Sequence, residues 1–255
     1  SSSGLGTKSF DLQSTHAHPT ATPLPPSLID AAHQPTDAFA IVISLILTET
    51  RFNESNAPNL RQLLTDESLI QSVDRIHGEI SAVDEPSKLL LIDQCLPAIR
   101  KLPESTDTYA IIKTLIEWDS SISLFEYTLI QIFEREHARK HDADHAPITQ
   151  WHCLTGLEDD ISQISSFLAN LSANPAAAEN ISNHFQARLG DYKRLTELPL
   201  EHNTFDRVDQ ALNKLSHLDA ANRRLIANTA SEALGLVKAP TTNQVHFARA
   251  ISERL

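Results

Sequence analysis

Apolar residues recur at intervals of three and four along almost the whole chain after residue 26. Residues spaced in this way lie on one face of an α-helix, so the pattern predicts a series of amphipathic helices. The clearest of these carries Leu69, Ile70, Val73, Ile76 and Ile80. The segment from 38 to 50 is apolar nearly all round, which predicts a helix in the middle of the core. Apart from its tail and loops, the chain has no alternating run bounded by turn residues, so we predict an all-α fold essentially without strands.

Prolines and capping residues indicate where individual helices begin. Pro58, Pro86 and Pro175 precede apolar patterns at positions typical of a first helical turn. Asp66 is suited to cap the helix that follows it. Pro97 lies inside an apolar pattern and predicts a kink or an early end of that helix. Further helices are expected over residues 148–173, 175–189, 204–217, 219–235 and 242–254.

Two polar stretches organise the chain into a tail and two helical blocks. Residues 1–26 combine serine, threonine and histidine with several prolines and show no apolar period, which predicts an extended or disordered tail. A second polar stretch at 142–147 separates a first block, residues 27–141, from a second block, residues 148–255. We expect the second block to pack on the first.

Composition and charge narrow the classes of partner. The net charge of -12 disfavours nucleic acids and anionic lipids, because an acidic surface repels phosphate groups. The longest apolar run, 38–47, is only half as long as the roughly 20 residues that a membrane span needs. The chain contains no methionine and begins SSSGLG, which is typical of a linker. We therefore interpret the sequence as a region of a larger protein.

Two stretches of sequence carry a resemblance to a known family. They read LLIDQCLPAIRKL at 90–102 and LIEWDSSISLFEY at 115–127. Both resemble the C-terminal extension of bacterial membrane zinc metallopeptidases of the HtpX-like and CAAX-prenyl-protease-like family. A looser likeness extends over 24–47 and 208–251, so that the resemblance covers roughly residues 24–255.

The same stretch resembles the helix–turn–helix element of the TerB-like helical fold. In that element an Asp ends one helix, a turn follows, and a Glu lies in the first turn of the next helix. Asp119 and Glu126 match these positions, whereas Ser120 stands where Gly is usual. A second, degenerate copy is expected at 236–244. The resemblance therefore implies an irregular multi-helix domain with TerB-like elements and a degenerate internal repeat.

The resemblance also implies a function. The chain would be the non-catalytic C-terminal domain of a membrane zinc metalloprotease, with a regulatory or protein-binding role on the cytoplasmic side of the bacterial inner membrane. Zinc and peptidase activity would belong to the parent protein, which is implied to act in membrane-protein quality control. The partners would be the protease and membrane domains of that parent, together with other proteins. A stand-alone TerB-like stress-response or scaffold protein is the alternative.

The chain itself offers only weak metal ligands. A zinc peptidase needs His-Glu-x-x-His on a helix, with the Glu as general base, and no histidine of this chain fits that pattern. His137, His141 and His145 recur every four residues and could reach a metal from one helical face. Arg139 and Lys140 lie between them and would repel a cation. We interpret this stretch as a solvated helix end and expect no cofactor in this chain.

Asp119, Ser123 and Glu126 are predicted to form a structural corner. A calcium loop of the EF-hand type needs a Glu at its twelfth position, and counting from Asp119 that residue is Ile130. Ser123 and Glu126, in contrast, have the spacing of a capping box, in which each residue satisfies an amide of the other. We therefore expect no ion at this corner.

Two further features are interpreted as structural. Cys95 and Cys153 have no spacing typical of a disulfide framework or a metal site, so both are predicted to pack as small apolar residues. The acidic cluster 158–160 is predicted to be the solvated first turn of a helix. Neither feature indicates catalysis.

We predict that the purified chain retains no stoichiometric zinc, because the His-Glu-x-x-His motif is missing from its sequence. Metal analysis after mild dialysis checks this expectation. One zinc per chain would contradict it and would point first to His137, His141 and His145.

Overall fold

The structure is a computed structural model, and the residues that it describes are 74% helix and 3% strand. The all-α prediction is confirmed. Contacts between Cα atoms group residues 19–119 into one unit and residues 1–18 and 120–255 into another. The structure describes residues 9–11, 22–49, 57–103, 105–118, 121–141, 149–189, 195–198 and 204–255.

The unit 19–119 is built around one apolar helix. Its described helices are α1 (Pro26–Ala32), α2 (Pro35–Glu49), α3 (Ala57–Leu63), α4 (Glu67–Ile80), α5 (Glu85–Ile99) and α6 (Thr108–Ile116). Every residue from Ala38 to Leu47 is buried, as the all-round apolar pattern predicted, and α1, α4, α5 and α6 all pack against α2. Among the described residues, no helix is both long and apolar enough to cross a membrane.

Aspartates begin three helices of this unit. The carboxylates of Asp66, Asp84 and Asp107 each accept a hydrogen bond from a backbone amide in the first turn of α4, α5 and α6, at 2.8–3.0 Å. These bonds satisfy amides that have no partner inside the helix. Pro97 lies within α5, which ends two residues later at Ile99. Pro97 therefore shortens helix α5 only slightly, because the proline falls in the last turn.

The other unit contains two short strands and six described helices. They are β1 (Ser9–Asp11), β2 (Ser121–Ser123), α7 (Leu124–His141), α8 (Glu158–Asn170), α9 (Pro175–Leu189), α10 (Phe205–Leu215), α11 (Ala220–Gly235) and α12 (Thr242–Arg254). β1 and β2 pair in parallel, with Phe10 opposite Ile122. The sequence did not predict this pair, because a three-residue strand is too short to show an alternating pattern.

One predicted helix begins later than the sequence indicated. The pattern predicted a helix over 148–173, but α8 begins only at Glu158. Upstream, the amide of Gln150 donates to the His217 carbonyl (2.8 Å), and the Trp151 carbonyl accepts from the Asp219 amide (2.9 Å). Gly156 then has a φ of 88°, which glycine adopts readily and which is incompatible with a helix. These long-range bonds and the glycine turn replace the first ten residues of the predicted helix.

Helices α7 and α12 run parallel to each other. The hydroxyl of Thr128 donates to the His246 carbonyl (2.9 Å), and Arg135 pairs with Glu253 (2.9 Å). Both contacts join residues 118 apart in the sequence, and a constant separation means that the helices run in the same direction. The sequence placed α7 in a first block that ended at residue 141. In the structure α7 belongs to the unit of α12, because this pairing binds it there.

We predict that Leu91→Ala destabilises the chain by about 2–5 kcal/mol, because Leu91 is fully buried and its loss leaves a cavity. The neighbouring Leu90 is 49% exposed, so Leu90→Ala is the matched control and should change stability by roughly 0.5 kcal/mol or less. Urea unfolding of both variants measures the difference. Equal losses would contradict the packing of α5.

Candidate functional site

The corner predicted from the sequence contains a capping box at the start of α7. The Ser123 amide donates to the Glu126 carboxylate (2.8 Å), and the Glu126 amide donates to the Ser123 hydroxyl (3.1 Å). Glu126 is buried, and one oxygen of its carboxylate accepts this bond. Asp119, the third residue of the predicted corner, lies outside the described residues. Within the described part, the corner is arranged to start a helix.

A second capping box lies where a degenerate copy of this corner was expected. The Gln244 amide donates to the Thr241 hydroxyl (3.1 Å), and the Thr241 amide donates to the Gln244 side-chain oxygen (2.9 Å). Thr241 and Gln244 follow Ser123 and Glu126 at the same separation that relates Thr128 to His246. The two corners thus share one device for starting a helix, although Gln replaces Glu.

The second corner also ends helix α8. The Thr241 hydroxyl donates to the Leu171 carbonyl (2.9 Å), and the Gln244 amide group donates to the Leu168 carbonyl (3.3 Å) and the Ser172 hydroxyl (2.8 Å). The last carbonyls of a helix lack partners within it, and these side chains supply them. The position of the α8 C-terminus is therefore fixed by the N-terminus of α12.

The predicted histidine ladder lies at the exposed end of α7. The rings of His137 and His141 are 4.4 Å apart between centroids, and His145 lies outside the described residues. Arg139, between them, pairs with Glu136 on the same helix. In the part of the chain that the structure describes, no three His, Cys, Asp or Glu side chains form a group that could hold a metal ion. That the chain binds no zinc at this ladder stays a prediction to be measured.

The cysteines and the acidic cluster differ from one another in their surroundings. Cys95 is buried as predicted, and burial raises the pKa of its thiol to about 12, so it stays protonated. The prediction for Cys153 is wrong, since this residue is exposed in the non-helical segment before α8.

Two carboxylates of the acidic cluster 158–160 have partners within the chain. Asp160 pairs with Lys214 at 2.6 Å, and Glu158 accepts from the Gly156 amide at 2.9 Å.

The most distinctive arrangement of polar groups lies between α8 and α9. Residues 195–198 run outside regular secondary structure along these two helices. We call them the cis segment, because they belong to the same chain as the helices that they contact. The surface that holds them is called the α8–α9 groove and consists of Ser162, Ser166 and Asn170 of α8 with Gln186 of α9. The sequence had placed the cis segment within an ordinary loop.

Helix α8 contacts the cis segment through three side chains at intervals of four. The Ser162 hydroxyl accepts from the Thr196 amide (3.0 Å), and the Asn170 amide group donates to the Leu198 carbonyl (3.0 Å). Between them, the Ser166 hydroxyl accepts from the Leu198 amide (2.9 Å) and donates to the Thr196 carbonyl (3.3 Å). Residues four apart lie on one helical face, so these groups form a row along the groove.

Helix α9 adds a fifth hydrogen bond from the opposite side, because the Gln186 side-chain oxygen accepts from the Leu195 amide at 2.7 Å. All five bonds go to main-chain atoms of the cis segment. Thr196 and Glu197 are exposed, whereas Leu195 and Leu198 are half-buried. The groove therefore contacts an extended backbone, and its hydrogen bonds do not depend on which side chains the backbone carries.

Two cavities flank the cis segment. One has a volume of about 470 Å³, and its lining includes Ser165, Ser182 and Asn183. The other, of about 630 Å³, is lined by Ala169, Pro175 and Glu179 among others. Both cavities also border Ser166 and Glu197. Among the described residues, the segment is therefore bordered by a cleft on each side.

The sequence carries a trace of this groove that cannot be told from an ordinary solvated row. Ser162, Ser166 and Asn170 form a polar row directly beside the apolar row of α8, and Ser162 and Ser166 are only 3% and 4% exposed. A polar row on a helix is normally solvated, so the sequence alone gives no reason to expect burial. The burial of the two serines depends on the backbone of the cis segment, which covers them and lies some 30 residues away in the sequence.

A scan against protein-family models, a search of curated proteins and a search of solved structures each find no match to this chain.

We predict that Thr241→Val destabilises the chain by about 1–2 kcal/mol, because it removes the hydroxyl that caps α12 and contacts the Leu171 carbonyl. The matched control is Thr204→Val, since Thr204 precedes α10 without a side-chain capping bond. Thermal or urea unfolding of the two variants should separate them. A similar loss from both would contradict the role given to the second corner.

Proposed function

We propose that this chain is a non-catalytic, protein-binding domain whose α8–α9 groove receives an extended peptide. The observation that carries this proposal is the set of five hydrogen bonds from groove side chains to the main chain of residues 195–198. A surface that binds one extended backbone in this way presents the same donors and acceptors to any other.

The chemistry of the groove favours a peptide over a small molecule. Extended peptides bound to proteins are commonly held through main-chain hydrogen bonds, while pockets beside the backbone select side chains. In this groove, side-chain hydroxyl and amide groups supply the hydrogen bonds that the edge strand of a β-sheet supplies in other peptide-binding proteins. Ser162 and Ser166 are shielded from water, and a shielded polar group costs free energy when it lacks a partner. The groove therefore favours an occupant with regularly spaced amides and carbonyls.

We further propose, on the resemblance of residues 90–127, that the chain is the regulatory C-terminal domain of an HtpX-like membrane zinc metallopeptidase. Zinc would then be held by the parent protein, and the domain would lie on the cytoplasmic side of the bacterial inner membrane. The two capping boxes support this proposal, because they lie at the two corners where TerB-like elements were expected. The upstream reading frame tests it. A frame without His-Glu-x-x-His and flanking apolar spans would favour the stand-alone TerB-like alternative.

Peptide binding is tested with a labelled peptide, KRLTELPL, which copies residues 193–200. Because the cis segment occupies the groove, the measurements use a chain carrying Thr196→Pro and Leu198→Pro, which lacks two of the donor amides of this segment. Adding Ser166→Ala removes a group that makes two bonds and should weaken peptide binding about tenfold, the effect of roughly 1.4 kcal/mol.

Ser231→Ala, added to the same double-proline chain, is the matched control. Ser231 lies on α11 and lines neither cleft, and its hydroxyl donates to the Ala227 carbonyl of its own helix. Fluorescence anisotropy measures the affinities. Failure of the double-proline chain to bind the peptide, or equal effects of the two alanine substitutions, would contradict the proposed function.

A further inference from the structure

We propose that residues 195–198 are a displaceable internal occupant that autoinhibits the α8–α9 groove, and that the partner which displaces them is an extended peptide with a basic residue at the position of Glu197. This inference rests on the proposed peptide-binding function and adds to it a regulation and a ligand chemistry.

The first argument is that the cis segment is held mainly by its backbone. Its five hydrogen bonds end on main-chain atoms of Leu195, Thr196 and Leu198. The side chains of Thr196 and Glu197 are exposed, and those of the two leucines are half-buried. A second peptide can reproduce each of these hydrogen bonds, and apolar side chains at the two leucine positions can reproduce their packing. Exchange of one backbone for another therefore replaces the same kinds of contact.

The second argument is that clefts border the described part of the cis segment on two sides. Their volumes are about 470 and 630 Å³, and both are open to solvent. An external peptide with longer side chains at the two central positions can extend into these clefts and make contacts that Thr196 is too short to make.

The third argument concerns charge. Glu197 of the cis segment and Glu179 of α9 both line the larger cavity, so the internal occupant brings a second carboxylate to a cavity that already has one. Like charges repel each other, and the repulsion grows as they come closer. A lysine or arginine in place of Glu197 would be attracted to Glu179, and the chain's net charge of -12 attracts basic segments in general. The favoured partner is therefore basic at this position.

Occupancy of the groove by the cis segment weakens the apparent affinity for an external peptide. The apparent dissociation constant rises by the inverse of the fraction of molecules whose groove is open. If the cis segment fills the groove about 90% of the time, external peptide binds about tenfold more weakly than it would to an open groove. A tethered segment readily reaches such occupancy, because its effective concentration is on the order of millimolar.

The experiment compares the wild-type chain with the chain carrying Thr196→Pro and Leu198→Pro, using the labelled KRLTELPL peptide. The double-proline chain should bind about tenfold more tightly than wild type, because two donor amides of the cis segment are gone. Thr196→Ala with Leu198→Ala is the matched control, since it removes the same side chains but keeps both amides, and it should gain less affinity than the double-proline chain. Hydrogen exchange of the Leu195 amide reports release of the segment in each chain.

The outcomes separate the two proposals. Equal binding by wild type and the double-proline chain, with the Leu195 amide exposed in the latter, overturns autoinhibition and leaves peptide binding intact. A Leu195 amide that stays protected in the double-proline chain also overturns it, because the bonds named here would not be what holds the segment. Absence of peptide binding to an opened groove overturns the proposed function itself.

A second peptide, KRLTKLPL, tests the partner's chemistry. It carries lysine at the position of Glu197 and should bind the double-proline chain several-fold more tightly than KRLTELPL. Adding Glu179→Gln to that chain should abolish the preference while leaving the affinity for KRLTELPL unchanged or higher. A lysine preference that survives Glu179→Gln, or no preference at all, overturns the assignment of a basic partner.

Discussion

The capping box formed by Thr241 and Gln244 is the interaction on which the second unit depends most. Its two reciprocal bonds start α12, and the same two side chains take up the Leu168 and Leu171 carbonyls at the end of α8. Helix α12 in turn runs beside α7 in constant register. One pair of side chains thus sets the positions of three helices, and α8 carries the wall of the groove. The groove is built on an element whose end is fixed by a distant part of the chain.

The resulting site differs from a pocket made for a small ligand. Its groups are hydroxyls and carboxamides of ordinary helical residues, which are suited to pair with an amide and a carbonyl at the same time. Ser166 does this for the Leu198 amide and the Thr196 carbonyl. Recognition of this kind tolerates many sequences, so the selectivity has to come from the cavities beside the backbone and from the charge of Glu179.

The sequence predicted the local features of this fold well and its long-range features poorly. The apolar period located α12 at both ends and α2 as the buried centre, because this signal lies within a few residues of chain. The spacing of Ser123 and Glu126 predicted their mutual bonds for the same reason. The late start of α8, the β1–β2 pair and the burial of Ser166 depend on partners tens of residues away. Asp119 lies outside the described residues, so its role at the corner stays a prediction.

The parallel pairing of α7 and α12 limits how this part of the chain can change during evolution. A substitution at Thr128 or Arg135 removes the contacts of that one side chain and leaves the register of the two helices unchanged. An inserted residue is different, since each residue turns an α-helix by about 100° and every contact beyond the insertion changes face. The two helices can therefore diverge in sequence, but their lengths up to the last shared contact must change together or stay fixed. Variation in length is confined to the segments between helices, where no such register has to be kept.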